Sequence, residues 1–356
     1  MKRTAGIAFG LVLLATSAMA QTPRAACETL ATMSLTGGTV TSAQTVAAGQ
    51  FTAPQGNRGG GRGGPQANPY ATVPAFCRVA AQLKPSSDSD IRIEVWLPAA
   101  GWNGKLQVVG NGGFAGAIGY AALGQGVTAG YVSASTDTGH TGGDPAFMTG
   151  HPERVTDFAH RAIHELAVAA KTISNSYYGN APRLSYFNGC STGGRQALTA
   201  AQRYPADFDG IIAGAAANNT VRMTSMQLFS GLAVQLDPAA AINEPKRNAL
   251  HQAVVNACDA RDGVRDGIIE NPQACTFDPR QAACTAGNAD SCLTEAQVAA
   301  ARKIYTGPTN PRTGESIFPG LAKGSETGWN GLSGDQPFGY AQGIWRFALM
   351  DEAAWD

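Results

Sequence analysis

The sequence predicts an α/β fold, in which helices cover both faces of one sheet. Short apolar stretches with the length or alternation of strands recur between residues 91 and 217. A segment with helical spacing separates two of these stretches, and an Ala-rich helix follows another. The chain has 356 residues, 44% of them hydrophobic, which is enough for one large core or for a core with a second module. Strands that alternate with helices favour a parallel sheet.

Five strands are predicted in the first part of the chain. In chain order they lie within IRIEVWLP (91–98), KLQVVGNGG (105–113), AGYVSASTDTG (129–139), LSYFNG (184–189) and FDGIIAGAAA (208–217).

Two longer segments predict helices, and one segment predicts a loop. Residues 192–208 contain a helix that ends near Pro205. Residues 51–70 are rich in Gly, Pro and Asn and predict a loop; their arginines are only a weak signal for RNA binding. The other helix lies within 154–179, and one buried stripe of it could hold Phe158, Ile163, Leu166 and Val168.

The N-terminal segment, residues 1–20, predicts a cleaved signal peptide. Lys2 and Arg3 precede a short apolar run, and the tripeptide AMA at 18–20 matches a cleavage site. A membrane anchor is the alternative, but the run is shorter than the roughly 20 residues that span a bilayer. We therefore expect a secreted or periplasmic protein. Because 26 basic residues balance 26 acidic ones, neither a nucleic acid nor a membrane is expected as a partner.

An exported protein meets oxidising conditions, in which cysteines pair. The chain has seven cysteines, so they cannot all pair within it. Two of the expected pairs are local in sequence, and the third would connect the mature N-terminus to the core. The predicted pairs are Cys27–Cys77, Cys258–Cys275 and Cys284–Cys292, which leaves Cys190 unpaired in this chain.

Residues 189–193, GCSTG, match the pattern G-x-S-x-G. An apolar strand precedes the serine and a helix follows it, which is the setting of a nucleophile elbow. Ser191 would then be a nucleophile at the helix N-terminus, and the N–H of Thr192 would stabilise an oxyanion. The alternative is an ordinary structural turn between strand and helix.

A second oxyanion donor is expected in the loop after an earlier strand. Residues 110–113, GNGG, supply glycines whose amides can approach a substrate closely. Gly113 is the preferred donor and Gly112 the second choice. A plain glycine turn is the alternative for either of them.

The segment CDARDGVRDGIIENPQAC, residues 258–275, crowds three aspartates between two cysteines. Crowded carboxylates repel one another unless water or a cation separates them, and Ca²⁺ prefers such oxygen ligands. A solvated acidic turn is the alternative. The candidate Ca²⁺ ligands are the side chains of Asp259, Asp262 and Asp266 and the carbonyls of Val264 and Ile268.

These motifs together resemble the tannase and feruloyl esterase family of α/β-hydrolases, which includes MHET-hydrolase-like enzymes. The similarity extends from roughly Cys27 to the C-terminus. A cysteine directly before the nucleophile is unusual among hydrolases, so the resemblance is specific. The matching stretches are GCSTGGR (189–195), NGGF (111–114), STDTGH (135–140) and the aspartate-rich loop 259–268.

The resemblance implies an α/β-hydrolase core with an incomplete sheet at 21–218 and an inserted, partly present lid domain at 219–356. It assigns a structural calcium-binding loop at 259–268 to the lid. It also implies a serine esterase that hydrolyses feruloyl, galloyl or terephthaloyl esters through an acyl-enzyme. Ser191 matches the nucleophile, and Thr192 and Gly113 match the oxyanion donors.

The sequence departs from the family in its catalytic acid and base. Members carry an Asp and a His-Cys pair well after the lid, and that cysteine bridges to the one before the serine. This chain has no His-Cys dipeptide. His140 is the best of five weak candidates, and Asp137 is expected to be structural. We therefore expect the acid, the base and the partner of Cys190 beyond residue 356, and little activity from this chain alone.

Two other functions stay open. The chain could be a secreted, non-catalytic binding protein of the same fold, or another serine acyl-hydrolase such as a peptidase or lipase. Trp329 and Trp345 could line an aromatic pocket, although a place in the core is favoured.

Overall fold

The structure, a computed structural model, describes residues 22–54, 68–334 and 336–352. The predicted signal peptide and the middle of the predicted loop 51–70 lie outside these residues. An eight-stranded sheet contains the strands in the order β1-β2-β3-β4-β6-β5-β7-β8. They are β1 (Ser34–Leu35), β2 (Gly38–Val46), β3 (Phe76–Leu83), β4 (Ile91–Pro98), β5 (Lys105–Val109), β6 (Val132–Thr136), β7 (Leu184–Cys190) and β8 (Gly210–Gly214).

The sheet is mixed. Strands β6, β5, β7 and β8 are parallel, whereas the pairings from β1 through β4 to β6 are antiparallel. The expected parallel pairing is therefore confirmed for β6, β5, β7 and β8 and wrong for the first half of the sheet. Only residues 84–90 connect β3 to β4, and a parallel crossover needs about a dozen residues or more. Such a short connection makes these neighbours antiparallel.

The helices follow the predicted alternation and continue after the last strand. They are α1 (Tyr120–Thr128), α2 (Pro152–Thr156), α3 (Ala162–Tyr178), α4 (Thr192–Arg203), α5 (Thr220–Gln235), α6 (Glu244–Cys258), α7 (Glu295–Thr306) and α8 (Gly339–Gly343). Shorter 3₁₀ turns lie at Cys27–Thr32, Pro145–Met148, Pro238–Ala240, Asp259–Asp262, Pro279–Ala282 and Glu326–Gly331, and π turns at Asp157–Arg161 and Ile344–Leu349.

The helix expected within 154–179 is a continuous helical run in which a π turn joins α2 to α3. Ile163 and Leu166 are buried, as predicted, but Val168 is 39% exposed. Val168 lies two positions after Leu166, and residues two apart face different sides of a helix. The run ends at Gly179, whose φ of 74° suits a glycine at the end of a helix.

The main core lies between the sheet and helices α3 and α4. Trp102 and Tyr178 stack there with their ring centroids 3.9 Å apart. All three predicted disulfides are present, which confirms the expected pairing: Cys27–Cys77, Cys258–Cys275 and Cys284–Cys292. Cys190 is free and exposed.

A separate hydrophobic cluster lies in the helical segment after β8. Leu250 and Val254 of α6 pack there with Val298 and Ile304 of α7 and with Trp329, which is 1% exposed. Trp329 is thus a core residue of this cluster. Trp345 is half-buried, and its indole N–H donates to the Thr224 hydroxyl of α5. The boundary at 219 and the lid function stay predictions.

Candidate active site

The predicted nucleophile and the predicted oxyanion loop leave the sheet side by side. Strands β5 and β7 are parallel neighbours, with Val109 opposite Asn188. The N–H of Gly110 donates to the carbonyl of Asn188 at 2.9 Å. Parallel strands have their carboxyl ends at the same edge of a sheet. Loop 110–113 follows the end of β5 and Ser191 follows the end of β7, so both lie at this carboxyl edge.

Ser191 occupies the junction between β7 and α4. Its backbone has φ 59° and ψ −117°, and its side chain is exposed. A non-glycine residue at positive φ costs about 1–3 kcal/mol, which the surrounding structure must offset. The end of β8 and the loop after it do so, since the Ser191 N–H donates to the Gly214 carbonyl and the Ser191 carbonyl accepts the Ala217 N–H, each at 3.0 Å.

Three glycines allow the loop, the strand and the helix to approach one another. A Cβ on Gly189 would clash with the carbonyl oxygen of Gly193. A Cβ on Gly110 would lie 2.6 Å from the Cα of Gly193. Side chains at these positions would separate the elbow from the loop, so the glycines of the motif are required by close packing.

Three backbone N–H groups near Ser191 are candidate oxyanion donors: those of Thr192, Gly112 and Gly113. Thr192 is the first residue of α4, and the first N–H groups of a helix have no partner within the helix. The Asn111 N–H is already donated to the Gln196 side chain at 3.0 Å. Gly112 and Gly113 remain as candidates in the loop, and the space beside the Cα of each is open.

Backbone strain recurs at the carboxyl edge of the parallel strands. Thr138 follows β6 with φ 60°, and Ala215 follows β8 with φ 38°, on either side of Ser191 in chain order. Such conformations cost free energy, persist only where the surrounding structure holds them, and cluster at functional sites. The edge that carries the candidate nucleophile is therefore the most conformationally unusual part of the sheet.

Each of the five histidines has a partner other than Ser191. His140, the best sequence candidate for a base, is a packed residue: its Nε2 lies 2.8 Å from the Phe114 carbonyl, and its ring stacks on Phe147 at 3.7 Å. Burial lowers the pKa of His140. The other pairs are His151 with Asp88, His160 with Tyr204, His164 with Asp207 and His251 with Glu326.

Asp137, in the loop after β6, holds the backbone together. One carboxylate oxygen accepts the N–H of Arg92 and that of Gly139, each at 2.9 Å. Burial raises the pKa of Asp137 to about 7, although these two hydrogen bonds act in the opposite direction. This carboxyl group therefore joins β4 to the end of β6.

Sequence reasoning missed three residues around the elbow: Asn111, Arg195 and Gln196. Arg195 donates to the carbonyls of Ala159 at 2.7 Å and Phe158 at 3.3 Å, and its guanidinium lies 5.1 Å from the Phe158 ring centroid. Burial lowers the pKa of Arg195. No local pattern could have identified the contacts of Arg195 with residues 158–159 or of Asn111 with Gln196, because the partners are far apart in sequence.

The C-terminal part of the described chain contributes aromatic surface to the same region. Tyr340 of α8 stacks on Phe114, directly after loop 110–113, with centroids 4.7 Å apart. Phe114 also packs near Phe158 of the π turn, at 5.8 Å. The loop after β5 is thus supported by rings from two other segments.

The aspartate-rich loop is ordered by its own backbone. Asp259, Asp262 and Asp266 each use one carboxylate oxygen to accept an amide of the loop, at 2.8–3.0 Å. Val264 is 55% exposed and Ile268 63% exposed. The donor types suit Ca²⁺. Throughout the part of the chain that the structure describes, however, no three His, Cys, Asp or Glu side chains are grouped as a metal site.

Comparisons with known proteins identify the family. A model described as "Tannase and feruloyl esterase" matches residues 77–341. An uncharacterized esterase of Xanthomonas campestris pv. campestris is 42% identical over 316 residues, covering 88% of this chain and 52% of the relative. A probable feruloyl esterase B-1 of Aspergillus oryzae is 33% identical over 294 residues, covering 81% of this chain and 54% of the relative.

Solved structures agree with these relatives. The crystal structure of feruloyl esterase B from Aspergillus oryzae matches with a TM-score of 0.83 and 32% identity, over 93% of this chain and 65% of that one. The α/β-hydrolase fold predicted from the sequence is confirmed. The chain spans about half the length of the curated relatives it matches. With its family model and its relatives in agreement, the chain belongs to the tannase and feruloyl esterase family.

Proposed function

We propose that this chain carries the nucleophile and the oxyanion hole of a serine esterase. The observation that carries the proposal is the strained, exposed position of Ser191 between β7 and α4, with the glycine loop beside it. A positive φ at an exposed serine, stabilised from a neighbouring strand, has no evident packing role. The family adds support, since relatives are named as esterases.

The reaction would be acyl transfer. Ser191 Oγ attacks the ester carbonyl carbon, and the N–H groups of Thr192 and Gly113 stabilise the negative oxygen of the tetrahedral intermediate. The alcohol then leaves, and water attacks the acyl-enzyme to release the acid. The partial positive charge at the N-terminus of α4 favours the same oxyanion.

The proton of Ser191 requires a general base. No hydrogen bond joins any of the five histidines, all of them among the described residues, to Ser191, since their contacts are to other groups. We therefore propose that the base and its acid lie outside the chain. A serine without a base is a weak nucleophile at neutral pH, so turnover by this chain alone should be very low. The alternative is a non-catalytic binding protein of the same fold. A chain that a fluorophosphonate probe never labels at Ser191 would favour that alternative.

The proposed substrates are esters of aromatic acids of the feruloyl, galloyl or terephthaloyl type. Relatives and a structural neighbour named feruloyl esterases support this class. A peptidase or lipase specificity is the other possibility within the same chemistry.

A fluorophosphonate probe tests the nucleophile, with the modified residue identified by mass spectrometry. We expect slow modification of the chain at Ser191 and none in Ser191→Ala. Ser291→Ala, which removes another exposed serine, serves as the control and should label like the parent chain. Labelling that persists in Ser191→Ala would rule out Ser191. Turnover of methyl ferulate at an ordinary esterase rate by this chain would contradict the proposal that the base is absent.

We further propose that loop 259–268 binds Ca²⁺ in a structural role, with the three aspartate side chains and the carbonyls of Val264 and Ile268 as ligands. Its oxygen donors and the Cys258–Cys275 bridge that closes it support the proposal. No step of the reaction depends on the ion.

Export from the cytoplasm is proposed as well, since three disulfides suit an oxidising compartment. Among the described residues, no helix has the length and apolarity needed to cross a membrane.

A further inference from the structure

We propose that Gln196 is a positioning residue that fixes the oxyanion loop 110–113 against the nucleophile helix. The proposal rests on the function proposed above and concerns the same site. Gln196 lies on α4, five residues after Ser191, and acts on the site only through the loop.

The contact between Gln196 and the loop is reciprocal and buried. The Asn111 N–H donates to Gln196 Oε1 at 3.0 Å, and Gln196 Nε2 lies 3.4 Å from Asn111 Oδ1. Gln196 is 1% exposed and Asn111 8% exposed. Because water has little access to either group, loss of the side-chain amide would leave a buried N–H without a partner.

The side chain of Asn111 fixes the other side of the loop. Its Nδ2 donates to the Thr136 carbonyl at 2.9 Å and to the Ala117 carbonyl at 3.3 Å. Thr136 is the last residue of β6. The loop is therefore held between the end of a neighbouring strand and the nucleophile helix.

This arrangement determines which amides face a substrate. With the Asn111 N–H used by Gln196, the next N–H groups are those of Gly112 and Gly113, whose surroundings are open. Glycines have no side chain to hold them in place, so their position depends on Asn111. A displacement of about 1 Å at an oxyanion donor can cost about 100-fold in rate.

Two substitutions separate the acceptor and donor roles of the Gln196 side-chain amide. Gln196→Met keeps the length of the side chain but removes both hydrogen bonds. Gln196→Glu keeps the acceptor for Asn111 N–H and, when protonated, regains a donor toward Asn111 Oδ1. Gln252→Met is the matched control, because Gln252 is an exposed glutamine that bonds Asn256 within α6 at 3.0 Å.

Two measurements follow the effect in the purified chain. Hydrogen exchange of the peptide covering 105–117 reports the order of the loop. The fluorophosphonate reaction at Ser191 reports the oxyanion hole, through the inactivation rate constant kinact and the inhibition constant KI. In Gln196→Met we expect faster exchange and a kinact lowered by about 10- to 100-fold, with KI within about twofold of the parent value.

Gln196→Glu provides the rescue. Its kinact, taken relative to the parent at each pH, should rise as the pH falls from about 8 to about 5, because the buried carboxyl group becomes protonated. A merely structural role would not produce this dependence. If Gln196→Met fails to fold by circular dichroism, the pH dependence of Gln196→Glu decides the question.

Parent-like exchange and kinact in Gln196→Met would overturn the proposal, as would equal losses in Gln252→Met. A parent chain that the probe never labels would contradict the proposed esterase function instead. In that case the exchange measurement alone would decide whether Gln196 orders the loop.

Discussion

Ser191 and Asp137 show what single residues contribute at the edge of the sheet. Ser191 adopts a φ of 59°, which a serine in an isolated peptide rarely adopts. Asp137 is buried at 5% exposure and joins two strands through backbone amides. Both residues are held by contacts that are distant in sequence.

The raised pKa of Asp137 predicts a pH dependence of stability. In the unfolded chain the carboxyl ionises near its ordinary value of 3.8, whereas in the folded protein it stays protonated up to about 7. The folded state therefore binds more protons between these values, and stability falls as the pH rises through this window. The largest possible loss is about 4 kcal/mol.

Asp137→Asn removes the titrating group while keeping an oxygen that can accept both amides. In the parent, we expect the free energy of unfolding to fall between about pH 4 and about pH 7 when it is measured with urea. In Asp137→Asn, this fall should be much smaller. Asp290→Asn, at an exposed site, should decline like the parent. An unchanged slope in Asp137→Asn would contradict the assignment.

At the scale of elements, the elbow depends on the crossing of β7 and α4. Gly189→Ala adds a Cβ that clashes with the carbonyl of Gly193, a backbone atom that cannot rotate away. We expect a loss of about 1–3 kcal/mol in the free energy of unfolding, together with slower labelling of Ser191.

Gly328→Ala is the control for this substitution. Nothing lies within 4 Å of a Cβ at Gly328, so its unfolding free energy should stay within about 0.5 kcal/mol of the parent. If the two variants were equally stable in urea, the close approach at Gly189 would not be required.

The aspartate-rich loop makes a second prediction for an element. If Ca²⁺ binds there, adding it at 100 times its Kd should stabilise the folded chain by about 2.7 kcal/mol. Calorimetry with and without a chelator measures this change. Asp262→Asn should abolish the response and Asp290→Asn should keep it; a Tm that is the same with calcium and with chelator would refute the site.

The two largest hydrophobic clusters of the described residues lie around the sheet and in the helical segment after β8. If these are separate modules, as the sequence predicts, they should unfold in separable transitions. Leu166→Ala in α3 and Leu250→Ala in α6 each remove a fully buried side chain and should cost about 2–5 kcal/mol.

Differential scanning calorimetry distinguishes one cooperative unit from two. We expect each variant to lower a different transition and to leave the other within about 1 °C. A single transition that both variants shift equally would show one cooperative unit and contradict a boundary near 219.

The sequence by itself determined the strands and helices that follow a clean local period. The bounds of β4 agree with IRIEVWLP, and the strand, serine and helix of the elbow lie where GCSTG places them. The disulfide pairs were also predictable, because six cysteines offered economical pairings. Apart from Cys27–Cys77, which joins residues 50 positions apart, these features are local, so the order of neighbouring side chains is sufficient to reveal them.

The tertiary structure decided what depends on distant contacts. Strand β2 was missed because its pattern is largely exposed, and β3 because alanines on both of its faces blur the alternation. The pairing of Asn111 with Gln196 joins residues 85 positions apart, which no local pattern reports. Side-chain periodicity reflects the solvent and core near each residue, whereas strand partners and the support of the oxyanion loop depend on how the whole chain closes on itself.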